Sequence, residues 1–482
     1  MIEWKAMRAL ALTLGVCGLA RAMASAETAA GPKEINFIVI VSDSFRFDTL
    51  SCYSKLYPRY RTPNGEVQTP HLDRFAQQAT IFERCYAGSY PTVPNRKDLF
   101  TGTIVFPFEE WSPLSPTAVT FAKLMNQAGY WTQMVQDTPH TINKGFNFQR
   151  DFTGWQFIRG QEGDNEGVRP QPLPGDPAKT RDNGNWPRQL GAIQEFRRCE
   201  QDCFCAQTMT AAVQWLERNY NQGPFVLYVD TFDPHEPWDA PPWYEDRYED
   251  ASARDATAYR YPIYGKADVY SEAELARMRA IYAAEATLVD RWIGFLLESV
   301  ERMGLMDNTC VMFMADHGVS TGDHGWTGKN AMPMYEIIAH TPLLIHLPGQ
   351  TESRRVKELV QHCDIMPTML DLAKTTPTPG LDGISLRPAL EGRKLKTRPY
   401  AFTRGNSGLL ITAAEWSLVY PVATEKDRDG RPPELFDLSS DPLQTKNVLR
   451  KNLGQARKMW DAYNEWMVKA KGQDNAAAPP RP

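Results

Sequence analysis

The sequence has no long run of charges of one sign. Its 53 lysines and arginines stand against 58 aspartates and glutamates, which gives a formal net charge of −5. Proteins that bind nucleic acid concentrate positive charge on one face or in one tail, and the sequence has no such concentration. The composition therefore predicts that nucleic acid is not a partner.

The sequence also lacks an apolar run long enough to cross a membrane as a helix, which takes ~20 residues. The N-terminal run from Ala9 to about Ala20 is shorter, follows Lys5 and Arg8, and precedes the small residues Ala24-Ser25-Ala26. This order is typical of a secretory signal peptide. Residues 1–26 are therefore predicted to be a signal peptide of a secreted or periplasmic protein, and no stable membrane insertion is expected.

Cysteine is scarce, with eight residues in the chain, of which Cys17 lies in the predicted signal. Cys17 allows a lipoprotein alternative, although Val16 before it is bulky for a lipid-attachment signal. The seven other cysteines are an odd number, so at least one is expected to be unpaired. Three of these are closely spaced without a histidine nearby, which argues against a zinc site and leaves a local disulfide open. They are Cys199, Cys203 and Cys205.

What the sequence does contain is a set of short, uninterrupted apolar runs, typical of parallel strands buried on both faces. Amphipathic patterns alternate with them, the longest starting at a capping box of Ser271 and Glu274. This alternation predicts an α/β fold with a large, mainly parallel sheet flanked by helices. The main apolar runs are Ile35–Val41, Trp131–Val135, Phe225–Val229 and Val311–Ala315.

The pattern changes towards the C-terminus, where prolines and short β-like runs precede a helix from about Leu453 to Lys469. We therefore predict a large domain at 33–375 and a smaller C-terminal α+β domain at 376–470. The proline-rich residues 471–482 are predicted to be disordered. Residues 154–200 have little periodicity and are predicted to form a long surface loop that faces the substrate.

The stretch Ser89–Gly102 combines a hydroxyl, Thr92, with an arginine one helical turn later, Arg96. Pro94 favours a helix start and Gly102 a helix end. A helix from Pro94 would place Thr92 at its positive end, where free N–H groups attract anions. Arg96 would return to the same face with a planar fork for a tetrahedral oxyanion. The alternative is an ordinary proline-capped helix with a solvent-exposed arginine.

Polar side chains follow four strand candidates at the point where each ends. In an open parallel sheet, the ligand site lies beyond the carboxyl ends of the strands. Each such residue alone is more often a helix cap or a structural histidine, but together with the Thr92 helix they predict one active site. These residues are Asp43, His140, His235, Asp316 and His317.

These residues resemble the motifs of the sulfatase family, within the alkaline phosphatase superfamily. The family signature runs Cys or Ser, any residue, Pro, Ser, Arg, three variable residues, Leu, Thr and Gly. Residues Thr92–Gly102 follow it in Pro94, Arg96 and the closing Thr-Gly, but Thr92 stands first and Asn95 replaces the Ser. Sulfatases oxidise the first residue to formylglycine, an aldehyde that threonine cannot give, so no formylglycine is expected.

The resemblance implies an alkaline-phosphatase/sulfatase-like fold with a mixed, mainly parallel sheet, in which 33–375 is the catalytic domain. It also implies one divalent metal, Ca²⁺ first and Mn²⁺, Mg²⁺ or Zn²⁺ as alternatives, because the ligands would be oxygens and one imidazole. Ser44 stands where the family usually has a second aspartate. The implied metal ligands are Asp43, Ser44, Thr92, Asp316 and His317.

The resemblance also assigns catalytic roles. Thr92 would be the metal-bound nucleophile. Arg96 and Lys329 would hold the non-bridging oxygens of the transferred group. His235, or alternatively His140, would protonate the departing alcohol. No further Asp/His trio with the spacing of a second metal site is visible in the sequence.

Thr92 also bears on the choice between functions. A formylglycine hydrate releases sulfate through its second hydroxyl, which threonine lacks, so a threonine ester must be cleaved by water at sulfur or phosphorus. This favours hydrolysis of phosphate or phosphonate esters over sulfate esters, in a small-molecule or glycan substrate. The alternatives are a catalytically silent member that binds sulfated or phosphorylated glycans, and a phosphoryl transferase. A binding protein needs no proton donor such as His235, which argues against the silent alternative.

Overall fold

The computed structural model describes residues 34–471 except 107, 163, 165–168, 174, 182–185, 377, 397 and 422–430. The predicted signal peptide lies outside these residues, as does the predicted tail from residue 472 onwards. Within the described ranges, no helix combines the length and the apolar character that a membrane span requires.

Eight strands form one central sheet. The strand Leu343–His346 (β14) runs antiparallel to both of its neighbours in this sheet, and all other adjacent pairs are parallel. The prediction of a large, mixed and mainly parallel sheet is therefore confirmed. In order across the sheet, the strands are β15 (Arg354–Val356), β4 (Thr80–Phe82), β14 (Leu343–His346), β10 (Thr309–Ala315), β1 (Asn36–Ser42), β8 (Phe225–Thr231), β6 (Trp131–Gln136) and β7 (Gly154–Phe157).

The central strand β1 is apolar on both sides because helices cover both faces of the sheet. Ile38 and Ile40 pack on one face, whereas Phe37, Val39 and Val41 pack on the other. This alternation follows from the two-residue period of a strand. The middle of the sheet is consequently closed to water, and only the strand ends are available for a polar site.

Twelve α-helices lie among the described residues, besides short 3-10 turns. The longest, Glu272–Arg302 (α8), carries the predicted capping box: the Ser271 hydroxyl accepts from the Glu274 N–H at 3.2 Å, and the Glu274 carboxylate accepts from the Ser271 N–H at 2.7 Å. The helices are α1 (Pro70–Ala76), α2 (Thr92–Thr101), α3 (Phe121–Gln127), α4 (Trp186–Phe196), α5 (Phe204–Asn219), α6 (Pro242–Glu245), α7 (Ala251–Arg254), α8 (Glu272–Arg302), α9 (Glu336–Ala339), α10 (Ile365–Leu372), α11 (Arg387–Leu390) and α12 (Leu453–Lys471).

The smaller sheets lie around the central one and at the C-terminus. A four-stranded antiparallel sheet packs with α12 through Leu409, Ile411, Trp460 and Tyr463, and this arrangement confirms the predicted C-terminal α+β part. The predicted boundary at residue 376 stays a prediction. The remaining strands are β2 (Arg61–Thr62), β3 (Gly65–Glu66), β5 (Cys85–Tyr86), β9 (Gly265–Lys266), β11 (Ser320–Thr321), β12 (Trp326–Gly328), β13 (His340–Thr341), β16 (Val360–Gln361), β17 (Ala401–Gly405), β18 (Gly408–Thr412), β19 (Trp416–Tyr420) and β20 (Glu434–Asp437).

Two local predictions were wrong. Helix α2 begins at Thr92 rather than at Pro94, because proline is tolerated within the first helical turn, where its missing N–H is not needed. The region 154–200 is not one long loop, since β7 adds an edge strand to the central sheet and α4 forms near its end.

The local disulfide left open by the sequence is not formed. The cysteines at 52, 85, 199, 203, 205, 310 and 363 are all free thiols. Cys199 is exposed, whereas Cys203 and Cys205 are buried at the start of α5.

Candidate active site

Two aspartates stand at the carboxyl ends of neighbouring central strands. Asp43 follows β1 and Asp316 follows β10, and the parallel register pairs Ser42 with Ala315 immediately before them. The Asp316 N–H donates to the Ser42 carbonyl at 3.3 Å, and the Asp43 N–H donates to the Thr231 carbonyl at 3.0 Å. The sheet itself therefore brings the two carboxylates together.

His317 completes a group of three buried side chains that could hold a metal ion. One ligand atom each from Asp43, Asp316 and His317 lies within 4.8 Å of the other two. The His317 Nδ1 donates to the Gly318 carbonyl at 3.0 Å, which leaves Nε2 with its lone pair. This buried Nε2 has no hydrogen-bond partner among the residues that the structure describes, and it lies 3.4 Å from Asp316 Oδ2 and 3.8 Å from Asp43 Oδ1.

The protonation state of His317 decides whether a cation fits this group of side chains. Burial lowers the pKa of His317 well below its ordinary value, and the positive charge of Lys329 acts in the same direction. The imidazole is therefore neutral, which is the form that ligates metals. Two carboxylates and one neutral imidazole suit a single divalent cation, and these donors are compatible with Ca²⁺, Mn²⁺, Mg²⁺ or Zn²⁺.

Ser44 and Lys329 border the carboxylate group. Ser44 has a left-handed backbone with φ of 62°, and its N–H donates to Asp316 Oδ1 at 3.0 Å. Its hydroxyl donates to Asp43 Oδ1 at 2.9 Å and accepts from the Lys329 ammonium at 2.8 Å. Ser44 thus links the Lys329 ammonium to the Asp43 carboxylate. Its role as a metal ligand stays a prediction.

Thr92 is the first residue of α2, and its hydroxyl donates to Asp43 Oδ2 at 3.0 Å. Burial alone would raise the pKa of Asp43, but the charges of Lys329 and Arg96 hold it well below its ordinary value. The acceptor is therefore an ionised carboxylate. The Thr92 side chain is buried, lies beside the three possible metal ligands and reaches the wall of a cavity.

Arg96 lies one turn further along α2 and is fully buried among three carboxylates. Its guanidinium makes a bidentate contact to Asp230, with distances of 2.8 and 3.1 Å, and also donates to Asp43 at 3.2 Å and to Asp316. The predicted contact of Arg96 with substrate oxygens stays a prediction. Asp230, which the sequence analysis did not assign, also accepts from Tyr228 at 2.7 Å.

A cavity of about 270 Å³ opens over Thr92. It contains four of the residues that the sequence analysis assigned to catalysis, together with residues from the region 154–200 and from the loop before β9. Its lining consists of Pro91, Thr92, Trp111, His140, Glu162, Arg181, His235, Tyr264, Lys329 and Asn330.

His140 lies at ion-pair distance from Glu162, a residue that the sequence pattern did not indicate. The His140 Nε2 lies 2.8 Å from Glu162 Oε2, while Tyr261 donates to the other oxygen of the same carboxylate. Burial alone would raise the pKa of Glu162, but the hydrogen bond and charge of His140 bring it well below its ordinary value. Glu162 is therefore an anion that faces the His140 ring.

His235 occupies a different environment in the same cavity. Its Nδ1 donates to the Glu236 carbonyl, so its Nε2 is an acceptor, and its ring stacks on Phe232 at 3.9 Å. Burial lowers the pKa of His235, and the charge of Lys329 adds to this effect. Glu236 opposes this effect, since its Oε2 lies 3.8 Å from the His235 Nδ1, but the lowered pKa makes His235 the neutral histidine of the cavity.

Comparison with known proteins agrees with this architecture. Residues 35–375 match the model of the sulfatase family. Arylsulfatase K of Gallus gallus is 28% identical, covering 80% of this chain and 75% of that protein. An arylsulfatase of Clostridium perfringens is 25% identical, covering 86% of this chain and 90% of that protein. The phosphonate monoester hydrolase of Agrobacterium radiobacter has the same fold, with a TM-score of 0.68 at 22% identity, covering 92% of this chain and 97% of that one.

The fold and the strand-end site define an ester hydrolase of the alkaline phosphatase superfamily. Because the family model matches most of its length, the chain belongs to the sulfatase family.

Proposed function

We propose that the protein is a metal-dependent hydrolase of phosphate or phosphonate esters, with sulfate esters as the second class, in which Thr92 is the nucleophile. The observation that carries this proposal is the position of the Thr92 hydroxyl. It lies in the cavity wall at the N-terminus of α2, 3.0 Å from an ionised carboxylate oxygen of Asp43.

Asp43, Asp316 and His317 would hold the metal ion. A divalent cation bound by these side chains would lower the pKa of an adjacent hydroxyl and offset negative charge on the transferred group. The support for a cation at this site is the buried Nε2 of His317, which has no hydrogen-bond partner among the described residues. Ca²⁺ is the first choice of metal because the other ligands are oxygens.

In the first step, the Thr92 oxygen attacks phosphorus and passes its proton along the hydrogen bond to Asp43. The bond between phosphorus and the leaving oxygen breaks, and that oxygen takes a proton from a histidine. Lys329, which lines the cavity, would bind a non-bridging oxygen. The helix N-terminus of α2 adds N–H groups that favour the same negative charge.

We assign the proton donor to His140, the alternative to His235 in the sequence analysis. Glu162 supplies the negative partner that stabilises a protonated His140 ring, with 2.8 Å between Nε2 and the carboxylate. His235 has a lowered pKa and an acceptor Nε2, so it is neutral at pH 7 and better suited to accept a hydrogen bond. A general acid must carry its proton at the working pH.

In the second step, water attacks the phosphorus of the threonine ester and gives one proton to His140, and the Thr92 oxygen leaves with the proton held by Asp43. This route needs no second hydroxyl on the nucleophile, which is why threonine favours phosphorus esters over sulfate esters. A formylglycine hydrate would release sulfate by elimination, which threonine cannot do.

The substrate is proposed to be a small-molecule or glycan ester. The curated relatives are named as arylsulfatases, and one protein of similar fold was solved with D-glucosamine-2-N,6-O-disulfate. A cavity of about 270 Å³ has room for one ring and its ester group. We also propose export after cleavage near Glu27, which an N-terminal mass measurement on the secreted protein tests.

A panel of aryl phosphate, phosphodiester, phosphonate and sulfate esters tests the reaction. We expect turnover of a phosphorus ester to exceed that of the matched sulfate, and to disappear after exhaustive chelation. Faster sulfate turnover would overturn the preference argued from Thr92. Absence of turnover on every ester with each of the four metals added would overturn the hydrolase proposal.

A further inference from the structure

Arg181 lies in the wall of the cavity that contains Thr92, and nothing in the reaction described above uses it. Its backbone N–H donates to the Tyr261 carbonyl at 2.9 Å, and the preceding Thr180 forms an isolated antiparallel bridge with Pro262. The main chain at Arg181 is therefore fixed against the segment that carries Tyr261 and Tyr264.

The guanidinium of Arg181 is stacked rather than paired. It lies 3.9 Å from the centroid of the Tyr264 ring and 5.4 Å from that of the Tyr261 ring. Among the described residues no carboxylate makes an ion pair with it, in contrast to Arg197, which contacts Asp239 at 2.7 Å. Stacking leaves the N–H groups in the plane of the guanidinium available to a ligand.

Two glutamates accept hydrogen bonds from the tyrosines on which Arg181 stacks. Tyr264 donates its hydroxyl to Glu236, and Tyr261 donates to Glu162, which also faces His140. The two tyrosines that stack on Arg181 thus hydrogen-bond two carboxylates, and neither carboxylate makes an ion pair with Arg181 among the described residues. Arg181 is therefore a second cation in the cavity wall beside Lys329, which already contacts Ser44 and Asp43, while the anionic Glu162 faces His140.

A flat apolar surface lies in the same cavity. Trp111 is 43% exposed, and the His140 ring packs edge-on against it at 5.1 Å. Exposed tryptophan faces in a cavity wall are suited to bind the face of a ring. The leaving half of the substrate would therefore meet both an aromatic surface and a cation.

We propose that Arg181 is a specificity-determining residue that binds a carboxylate on the alcohol half of the ester substrate. The inference rests on the proposed function for the location of the ester, and it adds the substrate class: ring-containing esters whose leaving group is itself an acid. The planar guanidinium matches a carboxylate with two parallel hydrogen bonds.

Two aryl esters that differ only at one ring substituent test this inference. The phenol ring of one ester carries a carboxylate and that of the other a neutral carboxamide of the same shape, and both phenols are esterified to the same acid group that the enzyme hydrolyses. A hydrogen bond to a charged group is worth roughly 10- to 100-fold. We therefore expect kcat/KM to favour the carboxylate ester in the wild type, and this ratio to fall at least ten-fold in Arg181→Gln, with Arg181→Lys in between.

Lys266→Gln is the matched control, because Lys266 is also a cation stacked on an aromatic ring, 3.9 Å from the centroid of Trp326, but does not line the cavity. It should leave the ratio unchanged, whereas an equal fall in both variants would mean that only the overall charge matters and would overturn the inference. A wild type without preference, or an Arg181→Gln variant that keeps it, would also overturn it.

Calorimetry with the two product phenols separates this inference from the proposed reaction. The carboxylated phenol should bind the wild type more tightly than the carboxamide, and Arg181→Gln should lose the difference. This measurement needs no turnover. Equal binding of both phenols to the wild type would refute the role of Arg181 even if the hydrolase proposal stands.

Discussion

Thr92 differs from a serine nucleophile by one methyl group, and this methyl restricts the side chain. A threonine in a helix is restricted to two main rotamers, and the hydrogen bond of 3.0 Å to Asp43 selects the one seen here. The position of the hydroxyl is thus set by the side chain itself and by one charged acceptor.

If Thr92 is the nucleophile, Thr92→Ala should lower kcat by on the order of a thousand-fold or more. It should also lose the covalent ester, visible as a mass increment on the Thr92 peptide after rapid quenching. The metal should stay bound, because Asp43, Asp316 and His317 remain. Thr101→Ala, at the other end of the same helix, is the control and should keep the label. A Thr92→Ala enzyme with wild-type turnover would contradict the assignment and point to direct attack by water.

Glu162 offers a test of the proton donor. Glu162→Gln keeps the size of the side chain but removes the carboxylate that lies 2.8 Å from the His140 Nε2, and with it the electrostatic partner of the proposed proton donor. We expect turnover of esters with poor leaving groups to fall roughly 100-fold, since general acid catalysis contributes at least that much. Turnover of a 4-nitrophenyl ester, whose leaving group departs without a proton, should fall far less. Equal losses for both ester classes would indicate a structural role for Glu162 instead.

The residues of the site divide into those visible in the sequence and those that only the fold reveals. Asp43 and Asp316 could be predicted because strand ends converge in a parallel sheet. Glu162 and Arg181 could not, since they lie in a region without periodicity. Their importance depends on contacts with His140 and Tyr264 that no local pattern encodes.

At the level of elements, α2 is the helix that positions Thr92, the proposed nucleophile, and buried hydrogen bonds anchor it in its first turn and near its end. Near its end, Asp98 accepts hydrogen bonds from the N–H groups of Ser89 at 2.6 Å and Val105 at 2.9 Å. In its first turn, Asn95 contacts His362 Nδ1 at 2.7 Å, and Thr341 contacts the other ring nitrogen at 2.8 Å. Both anchors are buried polar groups with partners.

The buried His362 should make the free energy of unfolding depend on pH. Burial, aided by the charge of Arg96, lowers the pKa of His362 to about 3. In the unfolded chain His362 takes up a proton near pH 6.5, whereas in the folded chain it does not. The contribution of neutral His362 to the free energy of unfolding is therefore complete above pH 6.5 and is lost as the pH falls. Each unit below 6.5 should cost about 1.4 kcal/mol of unfolding free energy until pH 3 is approached. Denaturant unfolding at several pH values gives the slope of the unfolding free energy against pH. Below pH 6.5 this slope should correspond to about one proton fewer in His362→Gln than in the wild type. An unchanged slope would contradict the prediction.

Helices and strands could be predicted where the sequence has a clear apolar run or capping pattern. The buried strands and the capped helix α8 could be read from apolar runs and from the Ser271–Glu274 box. The start of α2 could not, because a proline in the first turn marks a helix start only within a few residues. Strand β7 was missed since an edge strand exposes Trp155 and neighbouring polar residues, and therefore lacks an apolar run.

Across the whole molecule, charge is concentrated where the central strands end. Three buried carboxylates, Asp43, Asp230 and Asp316, face two buried cations, Arg96 and Lys329. Desolvated charges of one sign are costly unless they are balanced. Burial raises the pKa of Asp316 well above its ordinary value, and the charge of Asp43 adds to this effect against that of Arg96. A divalent cation would take the place of the proton on Asp316, so the ion proposed for the reaction should also stabilise the fold.

We therefore expect chelation to lower the melting temperature and Ca²⁺ to restore it. A ligand present at 100 times its dissociation constant stabilises the folded state by about 2.7 kcal/mol, which corresponds to a shift of a few degrees in a chain of this size. Asp316→Asn should abolish the response to Ca²⁺, while Asp437→Asn, which changes an aspartate of the C-terminal sheet far along the chain, should retain it. Titration with Mn²⁺, Mg²⁺ and Zn²⁺ under the same conditions ranks the metals. A melting temperature that is identical with chelator and with each of the four ions would refute the metal site, because ligands that bind only the folded state must raise its stability.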